Sequence, residues 1–205
     1  MSTDLDPAAA PIRALGLELI REFARTQHSV DWVVGAYFKQ TTPDLQFWLD
    51  HRGVLKRIDD GFRPRLLQAV ATAWKVDTDL SKYEDVFRKC KEMRNLLSHS
   101  AQMVELDADR LEVTRRVHGS GLTPTPPPKV VSREGLTKRL HECGWLVAHA
   151  HYVATGLAER TLRGDRPIEI LRPSADPADW DGLEFRFAEG ETDSSGRPED
   201  PLQLP

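Results

Sequence analysis

Residues 91–100, KEMRNLLSHS, gather the side chains best suited to chemistry, with Arg94, Asn95, Ser98 and His99 inside six positions. An imidazole ordinarily titrates near neutral pH and can take or give a proton. A guanidinium can hold two oxygens of a phosphoryl or carboxylate group in a fork, which matters where negative charge grows during a reaction. An amide can orient the ring or bond to phosphate, and a hydroxyl adds one more donor. The set is therefore equipped for acid–base work on a phosphate ester.

The same residues close a predicted helix that begins near Leu80. Setting each residue 100° from the last traces an apolar arc of Tyr83, Val86, Phe87, Cys90, Met93 and Leu97. Arg94 projects into that arc, between the directions of Tyr83 and Phe87. Buried alone it would cost several kcal/mol, roughly, so it needs an anion, a carboxylate or a second subunit. Glu18, Glu22 and Asp31 on the first helix are the acidic candidates for it, if they are not plain surface charges. Asn95 and His99 are four apart and share the adjoining, more polar face. In an ideal helix Arg94 and His99 point about 140° apart.

The elements that must position them can be read from periodicity. Ile12, Leu15, Leu19, Phe23, Val30, Val34 and Tyr37 keep a three-or-four spacing, which predicts a first helix from between Asp6 and Pro11 to about Gln40. A shorter helix with Leu45, Trp48 and Leu49 follows, and Asp60-Gly61 marks a turn. Another helix runs from Pro64 to about Trp74, and Asp79 or Ser81 caps the entry to the motif helix. After His99 the pattern alternates through Met103–Leu106 and Leu111–Val117, which reads as a β-hairpin. His99 thus stands at a helix-to-strand junction, from which its ring can swing towards Arg94. A proline-rich loop at residues 119–129 leads to a long helix from near Ser132. Its seam is Leu136, Leu140, Cys143, Val147, Ala150, Ala154 and Leu157. His141, Trp145, His149 and Tyr152 form a second line on its flank. Packing in a core or dimer, a wall for stacked bases and a metal site are the three readings of that line.

Composition sets the outer bounds. The 205 residues are 40% hydrophobic and 29% charged, enough for one cored domain with appendages. No run approaches the roughly 20 apolar residues of a membrane span, and the N-terminus lacks a basic-then-apolar signal, so a cytoplasmic protein is expected. The two cysteines, Cys90 and Cys143, fall on predicted apolar faces and read as buried free thiols. No Cys/His spacing of zinc type occurs, so no metal and no cofactor is expected. The net charge of −4 argues against an extended, non-specific nucleic-acid binder. It leaves room for a short basic groove, for which Arg88, Lys89 and Lys91 beside Arg94 are the candidates, or else a solvated helix face.

Arg-Asn-x-x-x-His near the end of a late helix resembles the signature of the HEPN superfamily, Arg-x4-6-His. Such a hexapeptide arises by chance in on the order of one chain in a hundred. The looser form is weaker, and Arg21…His28 on the first helix also satisfies it. The resemblance covers roughly residues 7–163. It implies an all-α fold, a HEPN-like helical bundle with a β-hairpin inserted before the last long helix, and a homodimer that brings two motifs to one cleft. Residues 164–205 form a Pro-rich, acidic C-terminal tail outside it, expected to be largely irregular or disordered, although residues 183–187 could add a strand or dock on the bundle.

The activity implied is that of a metal-independent endoribonuclease of a defence or toxin-like system. The 2′-OH of RNA attacks the adjacent phosphate and leaves a 2′,3′-cyclic phosphate. His99 would serve as base or acid, Arg94 would hold the phosphoryl oxygens, Asn95 would orient the ring and Ser98 would support it. Acid and base could come from different protomers. The alternative is a catalytically inactive HEPN-like dimer that binds RNA, a nucleotide or a protein partner such as an antitoxin. Toxins controlled by nucleotidyltransferase antitoxins commonly carry Tyr two residues after the motif His. Ala101 stands there, which puts that mode of control in doubt.

Overall fold

The structure is a computed structural model that describes residues 6–42, 59–115, 127–155, 161–163 and 166–187. The helix expected around Leu45–Leu49, most of the proline-rich loop and the acidic end of the tail lie outside the described residues.

Four helices are found among the described residues: α1 (Ile12–Thr41), α2 (Arg63–Ala73), α3 (Tyr83–Ser98) and α4 (Arg133–Thr155). Helix α1 follows Pro11, whose fixed φ suits a helix entry. Its buried residues Ile12, Leu15, Leu19, Phe23, Val30 and Val34 are those of the expected apolar stripe. Helix α4 begins where expected, with the Ser132 hydroxyl accepting from Gly135 N at 3.1 Å. From Leu146 to Ala150 every residue of α4 is buried, so it runs through the centre of the molecule and packs most extensively on α1. Helix α3 lays Tyr83, Val86, Phe87, Cys90 and Leu97 into the same core, again the expected arc. Asp79 does not cap α3. Its carboxylate accepts from Ser81 N at 2.9 Å in the turn that precedes the helix.

The all-α expectation is overturned. Beside the helices stand two three-stranded antiparallel sheets, so the architecture is mixed, small and rich in helix. The expected hairpin is present as β1 (Ser100–Glu105) and β2 (Arg110–Arg115). A third strand, β3 (Lys129–Ser132), pairs with β2, making β2 central. Leu111, Val113 and Val131 point to one face of this sheet and are buried under the helices. The physical reason is that β2 would otherwise leave a row of backbone donors and acceptors unpaired, and the β-branched pair Val130-Val131 fills that edge.

The second sheet joins β4 (Thr161–Arg163), β5 (Arg166–Ile170) and β6 (Phe185–Phe187). The segment between β5 and β6 lies along α4. Trp145 Nε1 donates to the Ser174 carbonyl at 2.9 Å, and His141 Nε2 donates to the Pro177 carbonyl at 2.9 Å. The ring of Trp180 covers Gly144 so closely that a Cβ there would lie 2.8 Å from it. Residues 166–187 therefore pack on the helices. The line of His141, Trp145 and His149 on α4 holds them together with Lys82 on Asp176, Arg172 on Asp77, and Arg25 and His151 on Glu184.

Candidate functional site

Helix α3 brings Arg94 inward through the apolar arc, as the 100° spacing requires, and the guanidinium meets both an aromatic face and a carboxylate. Its Cζ stands 4.9 Å from the centroid of the Phe23 ring on α1, within the range of a cation–π contact. Its Nη2 donates to Asp60 Oδ2 at 3.0 Å. Asp60 sits in the turn that leads into α2, so neither Glu18, Glu22 nor Asp31 is the partner. Glu18 and Glu22 pair with Arg21 and Arg25 on their own helix. Asp31 instead receives the fork of Arg63, Nε at 2.9 Å and Nη2 at 3.0 Å.

Arg63 continues to Asp60 through Nη1 at 2.5 Å, and Gln27 also donates to that carboxylate. The result is a ladder, Asp31–Arg63–Asp60–Arg94, that ties α1, α2 and α3 together. Burial opposes the charge of Arg63, but its bonds to Asp31 and Asp60 outweigh it and hold its pKa above the ordinary value. On Arg94 the Nε is buried and bonded to nothing among the described residues. Its Nη1 likewise has no partner there.

The ladder floors an open cleft of about 580 Å³, lined by Gln27, His28, Asp59 and the four ladder residues. His28 is exposed on its rim. This is the histidine of the looser Arg21…His28 spacing. That spacing was the one signal in the sequence that could have marked it.

His99 is placed elsewhere. It ends α3 with φ −104° and ψ 19°, its N–H bonded to the Asn95 carbonyl at 3.2 Å. Its side chain is exposed, does not line the Arg94 cleft, and bonds no described residue. Asn95 is half-buried and Ser98 exposed, both also without a side-chain partner among the described residues. Ser100 fixes the exit from the helix by donating its hydroxyl to the Leu97 carbonyl at 2.7 Å. Within one chain, then, Arg94 and His99 remain on different sides of α3, as the ideal-helix spacing implies, and the His99 ring does not make the swing towards Arg94 that the junction allowed.

The three expected RNA-binding cations are already paired. Arg88 bonds Asp85 at 2.6 Å and Glu92 at 2.7 Å, and Lys89 reaches Asp85 at 2.5 Å. Lys91 lies 3.9 Å from both Asp59 and Asp60. Solvent and salt screen such exposed pairs, so an incoming phosphate can compete for Arg88 and Lys89.

His149 is the most enclosed of the imidazoles among the described residues. It is fully buried, with Nδ1 3.2 Å from the Thr78 hydroxyl and Nε2 3.3 Å from the Ser174 carbonyl. A carbonyl only accepts, so Nε2 carries the proton and Thr78 donates to Nδ1. Burial pushes its pKa down from 6.5 to about 4. It serves the docking of residues 166–187. Cys90 and Cys143 are buried free thiols, and the neighbouring Cys143 thiol, through a hydrogen bond, and burial push the Cys90 thiol up, away from reactivity. Among the described residues there is no group of three His, Cys, Asp or Glu arranged to hold a metal ion. Nor is any helix there long and apolar enough to cross a membrane. No protein-family model, curated protein or solved structure matches the chain.

Proposed function

We propose that this protein is a metal-independent endoribonuclease acting as a homodimer, with His99 as its proton-transfer residue and Arg94 as its phosphoryl-binding cation. The observation that carries the reading is the state of His99, an exposed imidazole with no side-chain partner among the described residues, at the helix-to-strand junction where its N–H is bonded to the Asn95 carbonyl. Arg94 is oriented by Asp60 and Phe23 and keeps Nη1 for a ligand. Because the two side chains leave opposite sides of one helix, a single substrate meets both most readily where two copies of α3 come together. The chemistry is 2′-OH attack, with the imidazole taking that proton or giving one to the departing 5′-oxygen.

A second reading has its own support. Three carboxylates, Asp31, Asp59 and Asp60, stand in the Arg94 cleft and offset its charge. That favours a structural Arg94 and a protein that binds RNA, a nucleotide or a protein partner without cutting. Incubating the purified protein with labelled tRNA and mRNA in EDTA separates the two. Cutting abolished in His99→Ala and Arg94→Ala supports the enzyme, and intact RNA in a retained complex supports the binding module. Cutting kept in His99→Ala but lost in His28→Ala would move the chemistry into the Arg94 cleft of one chain.

A further inference from the structure

On the side of α3 away from Arg94 a second groove, about 580 Å³, runs between α3, the β2–β3 edge and the start of α4. Lys89, Arg115, Lys129 and Arg139 line it, against one carboxylate, Glu92. Glu92 is engaged by Arg88, Lys89 by Asp85 and Arg139 by Glu142. Arg115 and Lys129 are exposed and form no ion pair among the described residues. They emerge on the face of the sheet that buries Val113 and Val131, just past the point where the helices stop covering it.

Their spacing is informative. Lys129 stands opposite Val113, and Arg115 is two residues further along the same strand. Diagonal neighbours of this kind lie about 7–8 Å apart. That is close to the repeat between successive phosphates of an extended strand. Met93 and Leu96 supply apolar lining beside them, suited to a ribose or a base face.

Two independent features connect the groove to His99. Arg115 pairs in register with Ser100, the residue next to His99. On the helix, His99 follows Glu92 by seven positions and Leu96 by three, so it shares the face of the two groove residues. Arg94 belongs to the opposite side.

We infer that this groove binds the phosphodiester backbone of a single RNA strand and leads it to His99. The inference rests on the ribonuclease reading for what happens to the strand at His99, but binding is measurable without cutting. The test is fluorescence anisotropy with a labelled 20-nucleotide oligouridylate in EDTA, using His99→Ala as the background so that cleavage plays no part. Adding Arg115→Glu and Lys129→Glu should weaken binding by roughly tenfold or more near 50 mM salt. It should also flatten the plot of log affinity against log salt by about 1.4, which is about 0.7 for each of two phosphates no longer neutralised. Arg65→Glu with Lys75→Glu, the same change of net charge on and just beyond α2, should leave both quantities close to the parent. Equal affinity in the groove variant, an equal fall in the α2 variant, or no binding by the parent would each overturn the groove. Intact binding together with uncut RNA in the wild type would overturn the ribonuclease reading alone.

Discussion

The two sides of α3 carry positive charge in opposite circumstances. Towards α1 and α2, Arg94 lies against Phe23 and shares Asp60 with Arg63, which is itself forked onto Asp31. Towards the sheet, Arg115 and Lys129 stand in solvent with no carboxylate of their own among the described residues. The same contrast holds for imidazoles. His149 is enclosed by Thr78 and the Ser174 carbonyl, whereas the His99 ring bonds no described residue. A cation or a ring type therefore says little by itself. What matters is how many of its bonds the fold has already filled: Arg94 has one Nη on Asp60 and keeps Nη1 without a partner among the described residues, whereas Arg115 and Lys129 have no ion pair there at all.

If that division is right, the largest effect belongs to the enclosed side. Asp60→Ala removes the shared acceptor and leaves the half-buried Arg94 without its carboxylate and Arg63 without one of the carboxylates it bonds, so unfolding in urea should reveal a loss of about 3 kcal/mol. A loss under about 1 kcal/mol would mean the ladder is solvated and the contrast false.

The imidazoles probe the same division through pH. The unfolded chain takes up a proton at His149 near the ordinary 6.5, and the folded chain resists until about 4. Below 6.5 the unfolded state therefore binds more protons, and stability falls as pH drops from 6.5 to about 4, by about 3 kcal/mol in all. Above 6.5 the contribution is complete. Urea titrations across this window should show the slope in the wild type and a flatter one in His149→Gln. An unchanged slope in that variant would assign the pH dependence to other groups.

The smallest effects belong to the open side. Arg115→Ala and Lys129→Ala break no ion pair seen among the described residues and should each shift stability by no more than about 0.5 kcal/mol. A larger cost in either would show that these cations hold the sheet edge rather than await a ligand.

Much of the helical frame was legible because its signal is local. The stripe Ile12–Val34 and the arc Tyr83–Leu97 repeat every three or four residues, and both are buried as that repeat demands. The inward course of Arg94 followed from the same geometry, and so did its separation from His99. Its partner did not. Asp60 lies 34 residues away in a turn, and no periodicity links a turn carboxylate to a helix cation. The third strand escaped because Lys129–Ser132 is four residues long behind a run of prolines, with only Val130-Val131 to mark it. The second sheet pairs Ile168 with Phe187 across a loop-like stretch, a match that only tertiary packing reveals. Likewise the line of His141, Trp145 and His149 suggested packing, but its partners are backbone carbonyls of Ser174 and Pro177, which carry no mark in a sequence.

The proposed chemistry is tested most directly by the chemical end left on RNA cut in EDTA by the wild-type protein, set beside His99→Ala of verified equal stability. A 2′,3′-cyclic phosphate is expected from the wild type, with a fall in rate of at least about 100-fold in the variant, the lower bound for removal of an acid–base group. A 3′-hydroxyl end, or a variant that cuts as fast as the wild type, would contradict the role given to His99.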